Sequence, residues 1–124
     1  VAILTTGVAF AAVQQDKVMY KQADGTYVVN TTSLCSNVKG FKGATPVEVY
    51  IKNNKVIKVE ALPNREGPKF YDKVKQGLFP KFNGMKLSKA AKAESLDGVT
   101  GATYTSRAVK ENIAAAVAYY KKNK

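Results

Sequence analysis

Along the chain the sharpest pattern is Val47-Glu48-Val49-Tyr50-Ile51-Lys52, where apolar residues hold every second place. That period belongs to a strand with one buried face. Asn53-Asn54 comes next, a pair that tolerates left-handed backbone, and Lys55-Val56-Ile57-Lys58-Val59-Glu60 returns as the second strand. Val47, Val49, Ile51 and Val59, with either Val56 or Ile57, are the expected core face. An earlier pairing is expected between Lys17–Tyr20 and the run ending at Asn30, because Asp24-Gly25 separates two β-prone stretches as a hairpin turn does. From Ser106 to Lys122 the period changes. Val109, Ile113, Ala116 or Val117, and Tyr120 recur at spacings of three and four, which gives one buried stripe on a helix. Its alanines favour helix, and its closing lysines suit the negative end of the helix dipole.

Between these elements, Gly40-Phe41-Lys42-Gly43 reads as a turn before Pro46, and 61–68 reads as a loop marked by Pro and Gly. Lys69–Gln76 is a short helix with Phe70 and Val74 inward, stopped by Gly77. Leu78–Met85 is a connection with apolar anchors. Lys86–Glu94 admits a helix capped by Ser88 and running through Ala93. The expected fold is a small single α+β domain, an antiparallel sheet packed against a long C-terminal helix and one or two shorter helices.

The apolar run Val1–Val13, interrupted by Thr5, Thr6 and Gly7, is too short to span a bilayer as a helix. Ala9-Phe10-Ala11 has the Ala-x-Ala form of a secretory cleavage site. The run is therefore read either as a signal remnant, which implies work outside the cytoplasm, or as an N-terminal structural element. Residues 14–124 make up the domain proper.

Composition narrows the chemistry. At 124 residues, 45% hydrophobic and 23% charged, the chain suits one domain with its own core. Twenty Lys plus Arg against nine Asp plus Glu give a net charge of +11, a field that favours anionic partners of any kind. The lysines are scattered and no nucleic-acid motif accompanies them, so most read as a solvated basic surface and nucleic acid is not an expected partner. The absence of His removes His-based triads and His metal ligands. A single cysteine, Cys35, removes disulfides and thiolate clusters, so neither a metal site nor a catalytic residue is assigned. Cys35 reads as a small, partly buried residue. Any redox chemistry must come from an organic cofactor.

One stretch offers more than structure: Asp97-Gly98-Val99-Thr100-Gly101-Ala102-Thr103-Tyr104-Thr105-Ser106, just ahead of the long helix. Two glycines allow positive φ and close approach of a ligand. Thr100, Thr103, Thr105 and Ser106 place hydroxyls where the first helical amides lack intrahelical partners. Those amides and the helix dipole suit a phosphate, here expected beside the amides of Thr105 to Arg107.

Asp97-x-x-Thr100-Gly101-Ala102-Thr103 resembles the flavinylation motif Asp-x-x-(Ser/Thr)-Gly-Ala-(Thr/Ser) of the FMN-binding domain family. That family includes flavin-carrying components of the sodium-translocating NADH:quinone oxidoreductase and of the Rnf complexes. The resemblance extends to the Asp-Gly-x-Tyr of residues 24–27 and to the two strands around a polar turn. It implies FMN joined to Thr103 by a phosphoester, made by a separate flavin transferase that uses FAD and magnesium. Thr100, Gly101, Ala102, Asp97, Tyr104, Thr105 and Ser106 would surround that site, with Asp97 read by the transferase or ordering the turn. Tyr104, Tyr27 and Phe70 are candidates for the apolar face of the flavin. Larger relatives carry His-x-Glu-Thr-Pro-Gly near the flavin, of which Glu66 and Pro68 remain in this chain, while the His and Thr are missing. Arg65 beside them is either an anion partner or an exposed loop residue. Relatives also place a strand just before the motif, which leaves Lys86–Glu94 open between strand and helix.

The function so implied is electron transfer by a redox flavoprotein domain or subunit that is not a self-sufficient enzyme. It would work outside the cytoplasm, in association with a membrane, among redox partner proteins. The alternative from charge alone is a cofactor-free basic module for anionic surfaces or polymers.

Overall fold

The computed structural model of the chain describes residues 18–40, 42–95 and 102–124. The apolar run 1–13 and residues 97–101 of the motif lie outside the described residues. Among the described residues the sheet is a meander of five antiparallel strands lying side by side in chain order. They are β1 (Met19–Lys21), β2 (Tyr27–Asn30), β3 (Val47–Lys52), β4 (Lys55–Ala61) and β5 (Met85–Lys86). Among the described residues three α-helices accompany it: α1 (Pro68–Gly77), α2 (Leu87–Ala90) and α3 (Thr103–Asn123). The expected α+β architecture is the one observed.

Local chemistry explains each element. The β1–β2 turn uses Gly25 at φ 93° and is tied by Asp24 Oδ1, which accepts from the Thr26 amide at 3.0 Å. In the β3–β4 turn, Asn53 and Asn54 both take left-handed backbone, at φ 54° and 60°, as a two-residue hairpin turn requires. Along β4 the register slips. Tyr50 faces Lys58 and Ile51 faces Val56, so Ile57 is unmatched in a β-bulge. The bulge decides between Val56 and Ile57. Val56 is fully buried and Ile57 is 44% exposed, with Val59 returned to the core face three residues later.

The second face of the sheet carries Tyr20, Val28, Tyr50 and Lys58 in register across β1 to β4. Tyr50 donates to Glu60 at 3.0 Å and lies under the Lys58 ammonium, 4.6 Å from ring centre. Val28, between the two tyrosines in this row, is fully covered.

Helix α1 begins with Gly67 as N-cap and Pro68 as its first residue, where a missing amide hydrogen costs nothing. Tyr71 and Val74 point into the core; the side chain of Phe70 lies outside the description. The connection after α1 contains a short 3-10 helix, Phe79–Phe82, whose Phe79 and Phe82 are the expected apolar anchors, beside buried Leu78. Within 86–94 the strand expected just before the motif is absent, and the helix is shorter than expected and starts earlier. Met85–Lys86 is an edge strand, and the chain then turns into α2 with Lys86 as N-cap; Ser88 is an interior residue of that helix and does not cap it. Burying Leu87 and Ala90 favours the turn inward.

In α3 the predicted stripe is present, with Val109, Ile113, Ala116 and Val117 fully buried and Tyr120 4% exposed. At about 1.5–3 kcal/mol for each fully buried large aliphatic chain, this stripe is the main apolar anchor of the helix. A buried polar link adds direction: Thr31 Oγ1 donates to Asn112 Oδ1 at 2.5 Å, and the Val47 amide donates to Thr31 Oγ1 at 2.9 Å. Among the described residues no helix is long and apolar enough to cross a membrane.

Candidate functional site

The long helix starts at Thr103, three residues before the expected Ser106, because Ala102 is its N-cap at φ −139°, ψ 48° with no side-chain cap. The Ser106 amide already donates to the Ala102 carbonyl at 2.9 Å. The amides that lack an intrahelical partner are therefore those of Thr103 to Thr105, two residues earlier than the expected Thr105 to Arg107. Successive residues then diverge by about 100° around the axis. Thr103 and Tyr104 face solvent, Tyr104 at 58%, whereas Thr105 and Ser106 turn inward at 2% and 1%. Arg107 stands one turn beyond Thr103, its guanidinium 5.8 Å from the Tyr104 ring centre.

The inward face of this first turn is held by a buried carboxyl group. Thr105 Oγ1 donates to Glu66 Oε1 at 2.5 Å, so the hydroxyl expected to cap the helix binds another segment instead. Glu66 Oε2 accepts from the Lys42 amide at 2.6 Å, and the Glu66 amide donates to Asn64 Oδ1 at 3.0 Å. Three segments far apart in sequence meet here: the 40–43 turn, the loop before α1 and the start of α3. Gly40 makes the approach feasible. A Cβ there would fall onto Glu66 Oε1 and stand 3.2 Å from Thr105 Cα. The turn itself closes through the Gly40 amide, which donates to the Gly43 carbonyl at 2.8 Å. Burial, with the charge of Glu66 added, pushes the Tyr71 phenol well above its usual value, and its hydroxyl has no partner among the described residues.

The arrangement gathers Ala102, Thr103, Tyr104, Thr105 and Ser106 on one helical turn, with exposed Thr103 flanked by exposed Tyr104 and Arg107. Asp97, Thr100 and Gly101 lie outside the described residues. Tyr27 is not brought to this place. It packs edge-on against Tyr120, with ring centres 5.1 Å apart. Tyr120 is 17 residues beyond Thr103, about 25 Å along the helix at 1.5 Å per residue. Arg65 is exposed in its loop. Cys35 is buried, and burial, followed by the charge of Glu111, raises its thiol above the ordinary value.

Sequence reasoning did not foresee the Glu66–Thr105 bond. An acidic residue in a Pro- and Gly-marked loop looks solvent-facing, and only its place in the Glu-Gly-Pro remnant pointed to the site.

A hydroxyl on the solvent face of a helix start, at the positive end of the helix dipole and with a cation one turn on, can carry or bind a phosphate group. Comparison with known proteins adds to this geometry. The family described as FMN-binding domain matches residues 40–118, more than half of the chain, from Gly40 through Glu66 to most of α3. No curated protein matches the chain.

Proposed function

The chain belongs to the FMN-binding domain family, and from that premise we propose that its FMN is carried covalently on Thr103, as an electron-transfer group. The observation that carries this reading is the position of Thr103: the first residue of α3, exposed, on a turn whose inner side is fixed by Glu66. The residues present suit the group. The amides of the first turn and the dipole of a 21-residue helix offset phosphate charge, and Arg107 adds a cation nearby. Tyr104, exposed beside Thr103, offers an aromatic face.

Bound FMN supplies one- and two-electron chemistry that no side chain here provides. The protein's part is to hold, orient and expose. A threonine hydroxyl is a weak nucleophile without a neighbouring base, and the chain has no His to act as one. Thr103 is thus the substrate of a separate flavin transferase, and an exposed helix start is where such an enzyme gains access. We place the domain outside the cytoplasm, near a membrane, passing electrons between partner proteins. That placement rests on the motif and on the signal-like run 1–13.

The test is the intact mass of wild-type and Thr103→Ala protein, each co-expressed with a flavin transferase and supplied with FAD and magnesium. The expected result is a gain of one FMN less one water in wild type, mapped to the Thr103 peptide and absent from the variant. The variant should keep its stability to within about 0.5 kcal/mol, as an exposed substitution does. Flavin that is lost on denaturation would replace the covalent reading with non-covalent binding. If no flavin binds at all while the transferase modifies a control substrate, the cofactor-free basic module becomes the better account.

A further inference from the structure

At the opposite end of α3 lies a pocket of about 460 Å³ that the flavin reading leaves unused. Four lysines line it: Lys55 from the start of β4, Lys86 from β5, and Lys121 and Lys124 from the end of α3. Tyr120 contributes to its wall, and no acidic residue lines it. The pocket is therefore about 25 Å along the helix from Thr103.

Its walls are fixed by secondary structure. Lys55 is paired in register with Lys86 on one side and with Lys52 on the other. The Leu87 amide donates to the Asn54 carbonyl at 3.0 Å, which ties the β3–β4 turn to the start of α2. Directly opposed like charges destabilise a sheet. Lys52 has Asp24 as a carboxylate partner at 4.0 Å. Among the described residues Lys55, Lys86 and Lys121 make no ion pair.

We propose that this pocket binds a small anion with clustered phosphate groups. Lysine acts as a point charge toward phosphate, and several lysines on three elements match a multivalent anion better than a single carboxylate. The volume falls in the range of small-molecule sites, and a concave pocket suits a compact ligand more than a flat protein face. Such phosphates are either free in solution or carried on a lipid headgroup.

Two arms test the site and separate those sources, using the full chain. In the first, sodium pyrophosphate is titrated at physiological salt and amide shifts are followed by NMR. In the second, the protein is sedimented with phosphatidylcholine vesicles with and without phosphatidic acid. Both compare Lys86→Gln/Lys121→Gln with Lys69→Gln/Lys81→Gln, which removes equal charge from exposed positions outside the pocket. Saturable shifts centred on Asn53 to Lys55 and on Lys86, weakened about tenfold or more by the pocket variant and less than about twofold by the control, are expected for a free anion. The same contrast in the vesicle arm alone identifies a headgroup. Equal weakening by both variants in both arms, shifts spread over the whole surface, or no binding in either arm overturns the proposal.

Discussion

The two ends of α3 are finished in opposite ways. At Thr103 the inner face of the helix is locked by polar bonds: Thr105 to Glu66, Glu66 to the Lys42 amide, with Gly40 pressed against both. At Tyr120 the helix ends beside an open pocket lined by lysines, with no Asp or Glu in its lining. One helix thus presents an end whose inner face is fixed by polar bonds and an end surrounded by lysines. The first arrangement fixes the orientation of the helix start. The second suits a ligand that arrives and leaves.

Three measurements act on that contrast. The largest effect is expected from Ile113→Ala, in the middle of the stripe and fully buried. Losing its contacts should cost about 2–5 kcal/mol, read from chemical denaturation, and should weaken both ends alike. A loss confined to one end would mean that the helix is not a single rigid connector.

Glu66→Gln comes next. The neutral amide keeps the size of the side chain but weakens charge-assisted acceptance from Thr105 and from the Lys42 amide, at a cost of about 1–3 kcal/mol. Hydrogen exchange should quicken at Ser106 to Lys110 and stay unchanged near Tyr120. Combining it with Thr105→Val should cost less than the sum of the two single changes, because both break the same bond. Full additivity would show that Glu66 holds the helix by some other route.

Cys35 gives the smallest effect and reports on the middle of the helix, through Glu111. Folding raises the thiol's pKa, so the folded state keeps its proton longer than the unfolded state. The stability this contributes is complete below the unfolded thiol value, about 8.5, and is lost as pH climbs from there through the raised folded value. Denaturation followed between about pH 8 and pH 10 should show a gradual decline, which Cys35→Ala should lessen. Alkylation of Cys35 at about pH 8 should be slow in the native protein and fast in denaturant.

Much of this molecule is open to reading from its amino acids. Alternation at Val47, Val49 and Ile51, Asn53-Asn54 as a hairpin turn, and the stripe from Val109 to Tyr120 each depend on neighbours a few residues away. Local periodicity reports them faithfully. The bulge at Ile57 was legible only as a choice between two valid faces. Register is decided by what packs from the other side, and Val56 won because it meets the core across from Ile51. The start of α3 moved to Thr103 for a similar reason. A hydroxyl is read as a local cap, but Thr105 found a stronger acceptor in Glu66, 39 residues earlier in the chain.

By itself, then, the sequence determined the β3–β4 hairpin, the long C-terminal helix with its apolar stripe, and the position of Thr103 within a family motif, since all of these follow from short-range backbone preference and side-chain order. Tertiary structure alone decided that Glu66 would be buried against Thr105, that Tyr27 would pack beside Tyr120 far from Thr103, and that Lys55, Lys86 and Lys121 would share one pocket. Those outcomes depend on which segments the closed core brings within a few ångströms, and spacing along the chain carries no record of that distance.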